Sequence, residues 1–252
     1  MKSKMIVLMF FCFISLFTLG QPPYSLFEDG NTFYNKGDYQ NAIESYLAII
    51  ENGYHSSEVY YNLGNANYKI GNVAESNFYL EKANILSPND KMIINNLEFA
   101  KNMTIDSIEI LPQTQINLFF NQLLAFMTTD NWSFLSIIIL WIGCVFFLMY
   151  SFSKSIFIKR IFFSSGILSF LIFIFFIYIT ISKHRQENIK KGIIFSKEIG
   201  VWTEPNQRTE VLFFLHEGTK FEITDELEGW SKILISNGSE GWIESNSIRL
   251  LN

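Results

Sequence analysis

The sequence predicts a multi-domain membrane protein: all-α helical repeats, a two-helix transmembrane hairpin and a C-terminal all-β barrel. Three observations predict it. A pattern of Gly, Asn and Tyr that begins at Gly30 returns 34 residues later at Gly64. Two uninterrupted apolar runs in the middle of the chain each reach the length of about 20 residues that a bilayer crossing needs. The tail alternates apolar and polar residues in short runs separated by Gly-containing turns, the mark of a small antiparallel barrel. Composition agrees. Of 252 residues 49% are hydrophobic, 26 are Phe and 5 are Pro, which is too apolar for a disordered chain. The mean hydropathy of +0.19 is more than a water-soluble domain requires. A net charge of -5 provides no basic surface for phosphate, so nucleic acid is not an expected partner. Cys12 and Cys144 both lie in apolar runs, which leaves neither a disulfide framework nor a Cys-based zinc site. No metal and no cofactor is expected.

The chain begins MKSKMIVLMFFCFISLFTLGQPP. Lys2 and Lys4 precede an apolar core from Met5 to Leu19, and Thr18 and Gly20 form a small-residue pair, so residues 1–20 are expected to be a signal peptide cut after Gly20. An uncleaved anchor is the alternative, and the shortness of the run favours cleavage. Export would place residues 21–130 outside the cytoplasm.

Residues 21–110 hold the repeat. GNTFYNKGDYQNAIESY from Gly30 aligns with GNANYKIGNVAESNFYL from Gly64, matching Asn31 to Asn65, Tyr34 to Tyr68, Gly37 to Gly71, Ala42 to Ser76 and Tyr46 to Leu80. A period of 34 suits one helix–turn–helix per copy. Two glycines seven apart would weaken a single helix. They fit a close approach of paired helices at Gly30 and a turn at Gly37. Leu63-Gly64, Tyr68, Gly71, Ser76, Ala83 and Pro88 resemble the tetratricopeptide repeat family, although Asp29 stands before Gly30 in the first copy. Position 98 is Glu rather than Gly, so residues 90–103 read as a degenerate third helix or a cap. The resemblance implies stacked helix pairs whose first helices line a concave face. Phe27, Asn31 and Tyr34 share one helical face, Tyr61, Asn65 and Tyr68 repeat it, and Asn62 and Asn96 extend it. Two placements fit these side chains. Either the amides bond the backbone of an extended peptide while the Tyr rings pack its side chains, or the tyrosines pack between repeats and the asparagines face water. Lys69 is the one basic residue near the line, so a Lys/Arg clamp for a carboxylate terminus is not visible. Residues 21–110 carry five basic and twelve acidic side chains, which favours a basic or neutral partner. About two and a half repeats is short for a stack that buries its core between neighbours, and a partner is expected to complete it.

Residues 111–130 read as a linker. Residues 131–150 and 161–182 read as transmembrane helices, joined by a cytoplasmic loop at 151–160 and followed by a linker at 183–191. Trp132, Tyr150 and Tyr178 lie near the span ends, where amphipathic rings favour headgroups. No ionisable side chain interrupts either span, so an anchor is expected rather than an ion path. Lys154, Lys159 and Arg160 place the loop inside, and Asp106, Glu109 and Asp130 precede the first span. Lys183, Arg185, Lys190 and Lys191 oppose this assignment, but a signal sequence that exports residues 21–130 outweighs them. The expected location is the bacterial inner membrane, multi-pass, with both soluble modules in the periplasm.

Residues 192–252 form the barrel. Phe221 and Ile223 alternate with polar neighbours, and turns fall at Glu217-Gly218, Glu228-Gly229 and Asn237-Gly238, the last a type I′ hairpin signal. LHEGTKFEI, EGWSKI and NGSEGWIESNSI resemble, in that order, the strands of a bacterial SH3-like domain. Val201-Trp202 departs from it, since many members carry Val-Arg there. Trp230 and Trp242 are either a ligand platform or the core of a barrel of about 60 residues that needs large aromatics to have one.

Catalysis is not expected. His55, His184 and His216 are scattered, no nucleophile elbow, phosphate loop or dinucleotide fingerprint occurs, and His216 in its turn suggests a structural role. Taken as an order of modules, the whole chain resembles the BatE-type proteins of the Bacteroides aerotolerance (Bat) operons. That resemblance implies a periplasm-facing scaffold whose partners are the other Bat proteins, including von Willebrand factor A-type membrane proteins and a MoxR-type ATPase, in oxidative-stress tolerance. Peptidoglycan binding by the SH3-like domain, and service as a subunit of an enzyme regulator or transporter, are the competing readings.

Overall fold

The computed structural model describes residues 24–108, 111–112 and 114–251. The signal peptide expected at residues 1–20 lies outside them. The chain divides into two compact units, one built from Met1–Glu109 with Lys190–Asn252, the other from Ile110–Ile189.

In the first unit, five helices precede the sheet: α1 Tyr24–Asn35, α2 Tyr39–Glu51, α3 Ser57–Ile70, α4 Val73–Leu86 and α5 Lys91–Lys101. Each boundary has a local cause. The Asp38, Ser56 and Asp90 side chains accept from backbone N–H groups in the first turns of α2, α3 and α5. Gly37 (φ 79°) and Gly71 (φ 80°) take the left-handed conformation at the equivalent turns. The stretch from Gly30 to Tyr46 is therefore helix, turn and helix. A Cβ on Gly30 would lie 2.5 Å from the Tyr46 ring, and one on Gly64 would lie 2.6 Å from Leu80 Cγ. These are the same pair of positions one period apart. Gly lets the two helices of each repeat meet, and Tyr46 and Leu80, both fully buried, fill the contact.

Seven strands follow: β1 Lys191–Ile194, β2 Glu198–Trp202, β3 Val211–His216, β4 Lys220–Leu227, β5 Trp230–Leu234, β6 Glu240–Glu244 and, after a 3₁₀ turn, β7 Ile248–Leu250. They form one antiparallel sheet in the order β3-β2-β6-β5-β4-β1-β7. The sheet wraps around Ile194, Ile199, Val201, Leu215, Phe221, Ile233, Ile235 and Ile243. Aliphatic side chains and one Phe thus make the core, with no tryptophan in it. The expected turns exist, but their types differ. Glu228 (φ 39°) and Gly229 (φ 86°) are both left-handed, so the type I′ turn links β4 and β5. At Asn237-Gly238 only Gly238 is left-handed, and Gly238 N donates to Ile235 O while Ile235 N donates to Ser239 O. That is a three-residue loop closed by a glycine bulge.

The barrel packs on the repeats. Phe78 of α4 meets Ile193, Leu251 and Phe195, so the chain itself covers one flank of the short helical stack.

In the second unit, α6 Gln115–Ala125 stands where a linker was expected, and α7 Thr129–Phe152 and α8 Ile156–Glu187 are the apolar pair. Both are long and apolar enough to cross a membrane. They are longer than the runs at 131–150 and 161–182, leaving residues 153–155 as the break and carrying helix through most of 183–191. Hydropathy marks residues that suit hydrocarbon, whereas helical hydrogen bonding continues through flanking Lys159, Arg160, Lys183 and Arg185. Ser169 Oγ donates to the Ile139 carbonyl across the pair at 2.9 Å.

Candidate binding surfaces

The first helices of the repeats, α1, α3 and α5, carry the Asn and Tyr line. Asn62 Nδ2 donates to Asn31 Oδ1 at 3.0 Å, and Asn96 Nδ2 donates to Asn65 Oδ1 at 2.9 Å. The same amide link therefore recurs one period on, tying α1 to α3 and α3 to α5. Tyr46 Oη also donates to Asn31 Oδ1 (2.8 Å), and Tyr61 Oη accepts from Asn96 (2.8 Å). Neither sequence placement describes this fully: one amide edge of each Asn is spent on the ladder. Asn62 Oδ1 and Asn65 Nδ2, an acceptor and a donor, take no part in these bonds. Tyr34, Asn65, Tyr68 and Asn96 line one concavity of about 210 Å³ with Lys69 and Phe99. Phe99 is 60% exposed, and the repeat pattern does not mark it, because position 99 falls in the degenerate third copy. Phe27 lies elsewhere, with its ring 6.0 Å from Tyr46 against the core of the first helix pair. Burial, with Tyr39 and Tyr61 nearby, raises the Tyr34 hydroxyl pKa, and burial pushes Tyr46 up to about 12. Both stay neutral hydrogen-bonding groups.

A second cluster joins the repeats to the barrel, and none of its repeat-side members was legible as a site. Glu81 of α4, 1% exposed, receives Lys220 Nζ of β4 at 2.6 Å and faces Lys101 Nζ of α5 at 3.0 Å. The Lys101 contact is ionic more than a well-aligned hydrogen bond. Burial alone would raise the Glu81 pKa, and the two ammonium groups outweigh it and hold it low. Arg249 forks onto Glu75 with bonds of 2.9 and 3.0 Å. Asn77 Nδ2 donates to the Gly218 carbonyl.

Asp106, just after α5, accepts from the His216 backbone N–H (2.7 Å), bonds its Nδ1 (2.6 Å) and accepts from the Thr219 hydroxyl (2.6 Å). His216 is thus part of the joint, with Glu198 3.5 Å from its Nε2. Burial opposes ionisation of Asp106, but bonds from Thr219 and His216 bring its pKa below the ordinary value. The bond to Asp106 raises that of His216. The Asp106 contribution is present above the ordinary carboxyl range and is lost as pH falls through its lowered pKa. The His216 contribution is complete below its ordinary value of 6.5 and is lost as pH rises through the raised one. The protection factor of the His216 amide, its exchange rate relative to that of an unfolded chain at the same pH, is therefore expected to be highest between those limits and to fall on alkalinisation, and Asp106→Asn should abolish the alkaline step. A flat profile in the parent protein would refute the link.

The outer face of the barrel carries the third feature. Trp202 stands opposite Trp242 across β2 and β6, and its ring meets Trp230 edge-on at 5.3 Å. All three are half-buried, Trp202 against the margin of the core and Trp230 and Trp242 outside it, and Leu212 and Phe214 of the edge strand β3 are 48% and 54% exposed. Of the two sequence placements for Trp230 and Trp242, barrel core is the one that fails, because the period-2 alternation turns them away from Ser231, Ile233 and Ile243. Trp202 joins them. Its signal was the departure from Val-Arg at Val201-Trp202. Glu240 and Glu244 flank Trp242 on β6, and Lys232, opposite Trp242, is paired with Glu240.

Fold and surfaces together define a class: a chain with two helices able to span a membrane and two modules of the kind that bind other molecules. Comparison with known families agrees at two places. Residues 57–90 match the tetratricopeptide repeat and residues 200–249 match the bacterial SH3 domain. Both are typically non-catalytic modules that bind proteins or, for the second, peptidoglycan. A search of curated proteins found no match to the chain.

Proposed function

We propose that the protein is a non-enzymatic scaffold of the bacterial inner membrane, with its repeat groove and its barrel together on the periplasmic side. The observation that carries this reading is the joint between the modules. Glu81 bonds Lys220, and Asp106 bonds His216, so residues before the apolar pair and residues after it share one compartment. Two crossings return the chain to the side it left, which fits. Lys154, Lys159 and Arg160 between the spans favour a cytoplasmic turn. The groove would take an extended protein segment through Asn62, Asn65, Tyr68 and Phe99. The order of modules, like that of BatE-type proteins, points to a Bat complex with von Willebrand factor A-type and MoxR-type partners. A second reading, peptidoglycan binding, is favoured by the Trp202–Trp230–Trp242 face, since Trp offers a broad apolar plane with a polar edge.

Photo-crosslinking from position 99 in native membranes is expected to capture a membrane partner, and capture should fall with Tyr68→Ala. If Tyr68→Ala leaves capture unchanged, or nothing is captured, the groove reading fails. Binding of purified cell-wall sacculi by the detergent-purified chain, lost on Trp202→Ala, would favour the second reading. A cysteine at Ser155 should resist an impermeant thiol reagent in intact cells while one at Ser239 reacts; the reverse pattern would invert the topology.

A further inference from the structure

Helix α6 occupies a segment that carries no ionisable residue from Leu111 to Thr129. With 100° per residue, six of its apolar residues fall on one arc of roughly 160° that runs from Phe126 and Phe119 through Leu123 and Ile116 to Phe120 and Leu124, while Leu118, 42% exposed, and Ala125 fall on the other side. Asn117, Asn121 and Gln122 lie opposite. One half of the arc is occupied: Leu124 is buried with Trp132 and Ile179, Phe120, Leu123 and Met127 pack on the same cluster, and the Phe120 ring stands 5.9 Å from Tyr178. The other three residues of the arc are bare, with Ile116 79%, Phe119 68% and Phe126 74% exposed.

Position along the hairpin identifies what covers it. Trp132 lies at the start of the apolar stretch of α7, and Tyr178 and Ile179 lie at the end of that of α8. Thr129 Oγ1 donates to Glu187 there at 2.6 Å. The α6 contact is therefore at one end of the spans, where hydrocarbon meets headgroups, and its bare apolar residues lie on the same helix as those packed against the span ends. We infer that α6 is an interfacial membrane helix, lying along the bilayer surface with Ile116, Phe119 and Phe126 in the acyl boundary and the Asn/Gln face toward water. The occupant is lipid. Because the polar face is uncharged, apolar burial alone drives the seating, and neither anionic lipid nor salt should change it. The inference rests on the reading that α7 and α8 cross the membrane.

The test uses the full chain, with Cys12→Ser and Cys144→Ser, in zwitterionic phosphatidylcholine vesicles at low protein density. A fluorescent thiol probe is placed singly at Phe119→Cys, Ile116→Cys, Asn117→Cys and, within α7, Leu140→Cys. Positions 119 and 116 should be quenched best by nitroxides near the headgroup end of the acyl chain and be shielded several-fold from aqueous iodide relative to 117. Adding phosphatidylglycerol or salt should leave this unchanged. Position 140 should be quenched best by nitroxides deep in the chain. If 140 is quenched deep while 119 and 116 are as open to iodide as 117, the interfacial helix is refuted and the spans stand. If 140 is not quenched, the spanning reading falls and the inference with it. Shielding that grows with protein-to-lipid ratio would assign the face to a second copy instead and also overturn the inference.

Discussion

Replacing both lysines that face Glu81, as Lys101→Met with Lys220→Met, is expected to destabilise the joined repeats and barrel by about 3–5 kcal/mol at neutral pH. The cause is the carboxylate left behind. Glu81 is 1% exposed, so little of its own surface is open to solvent that could replace two ammonium groups. Each single substitution should cost much less, because one cation remains. The pH dependence should also change sign. In the parent, the Glu81 pKa is held below its ordinary 4.5, so its contribution is present above that value and is lost as pH falls through the lowered pKa. In the double variant the unpaired carboxyl has a raised pKa, so stability should instead recover on acidification as the group becomes neutral. Glu81→Leu added to the pair should restore most of the loss, since an apolar side chain of similar size needs no cation. Protection factors across α4 and β4, from hydrogen exchange of the detergent-solubilised full chain referenced to unfolded rates at each pH, read all three. A double variant that weakens on acidification as the parent does would show that Glu81 is not a buried ion.

Gly218→Ala is expected to open the same joint from the other side. Gly218 is left-handed (φ 87°), a conformation that costs an L side chain about 1–2 kcal/mol. A Cβ there would also lie 2.7 Å from Val73 Cγ1 and 2.9 Å from both Asn77 Nδ2 and Thr104 Cγ2. Crowding of that kind adds about 1–3 kcal/mol. The sum falls on one contact rather than on either core, so the expected outcome is separation of the modules with each still folded. Exchange should quicken at α4 and at β4's first residues, while the α1–α2 pair and the β5–β6 hairpin stay protected. Gly229→Ala is the control. It has the same left-handed φ (86°) but open space around its Cβ, so it should cost the conformational part alone and leave the joint intact. Equal effects from the two substitutions would refute the packing argument.

The groove and the tryptophan face divide in how they could be foreseen. The Asn and Tyr line was visible because helical period and repeat period together place 31, 65 and their neighbours on one face. The ladder was not, because it pairs Asn31 with Asn62 and Asn65 with Asn96, and the distance between adjacent helices is not written in either period. Trp202 was visible only as an oddity within a pattern, and its contact with Trp230 depends on the bulge and register of strands distant in sequence. Lys220 with Glu81 and His216 with Asp106 are separated by more than a hundred residues and a membrane hairpin, so no local signal could join them.

What the sequence determined by itself is whatever is periodic or local: the helix pairs and their Gly30 and Gly64 contacts, the turn glycines, two apolar spans, and alternating strands. Each follows from backbone sterics or from the period at which apolar side chains must share a face. Tertiary structure alone decided which groups lose water together. It made one unit of two modules, buried Glu81 between two cations, turned Trp230 and Trp242 out of the barrel core, and left half of the apolar arc of α6 bare beside the spans. Those outcomes depend on how surfaces from remote parts of the chain meet, and burial, which sets the cost of every charge and the gain from every ring, exists only after they have met.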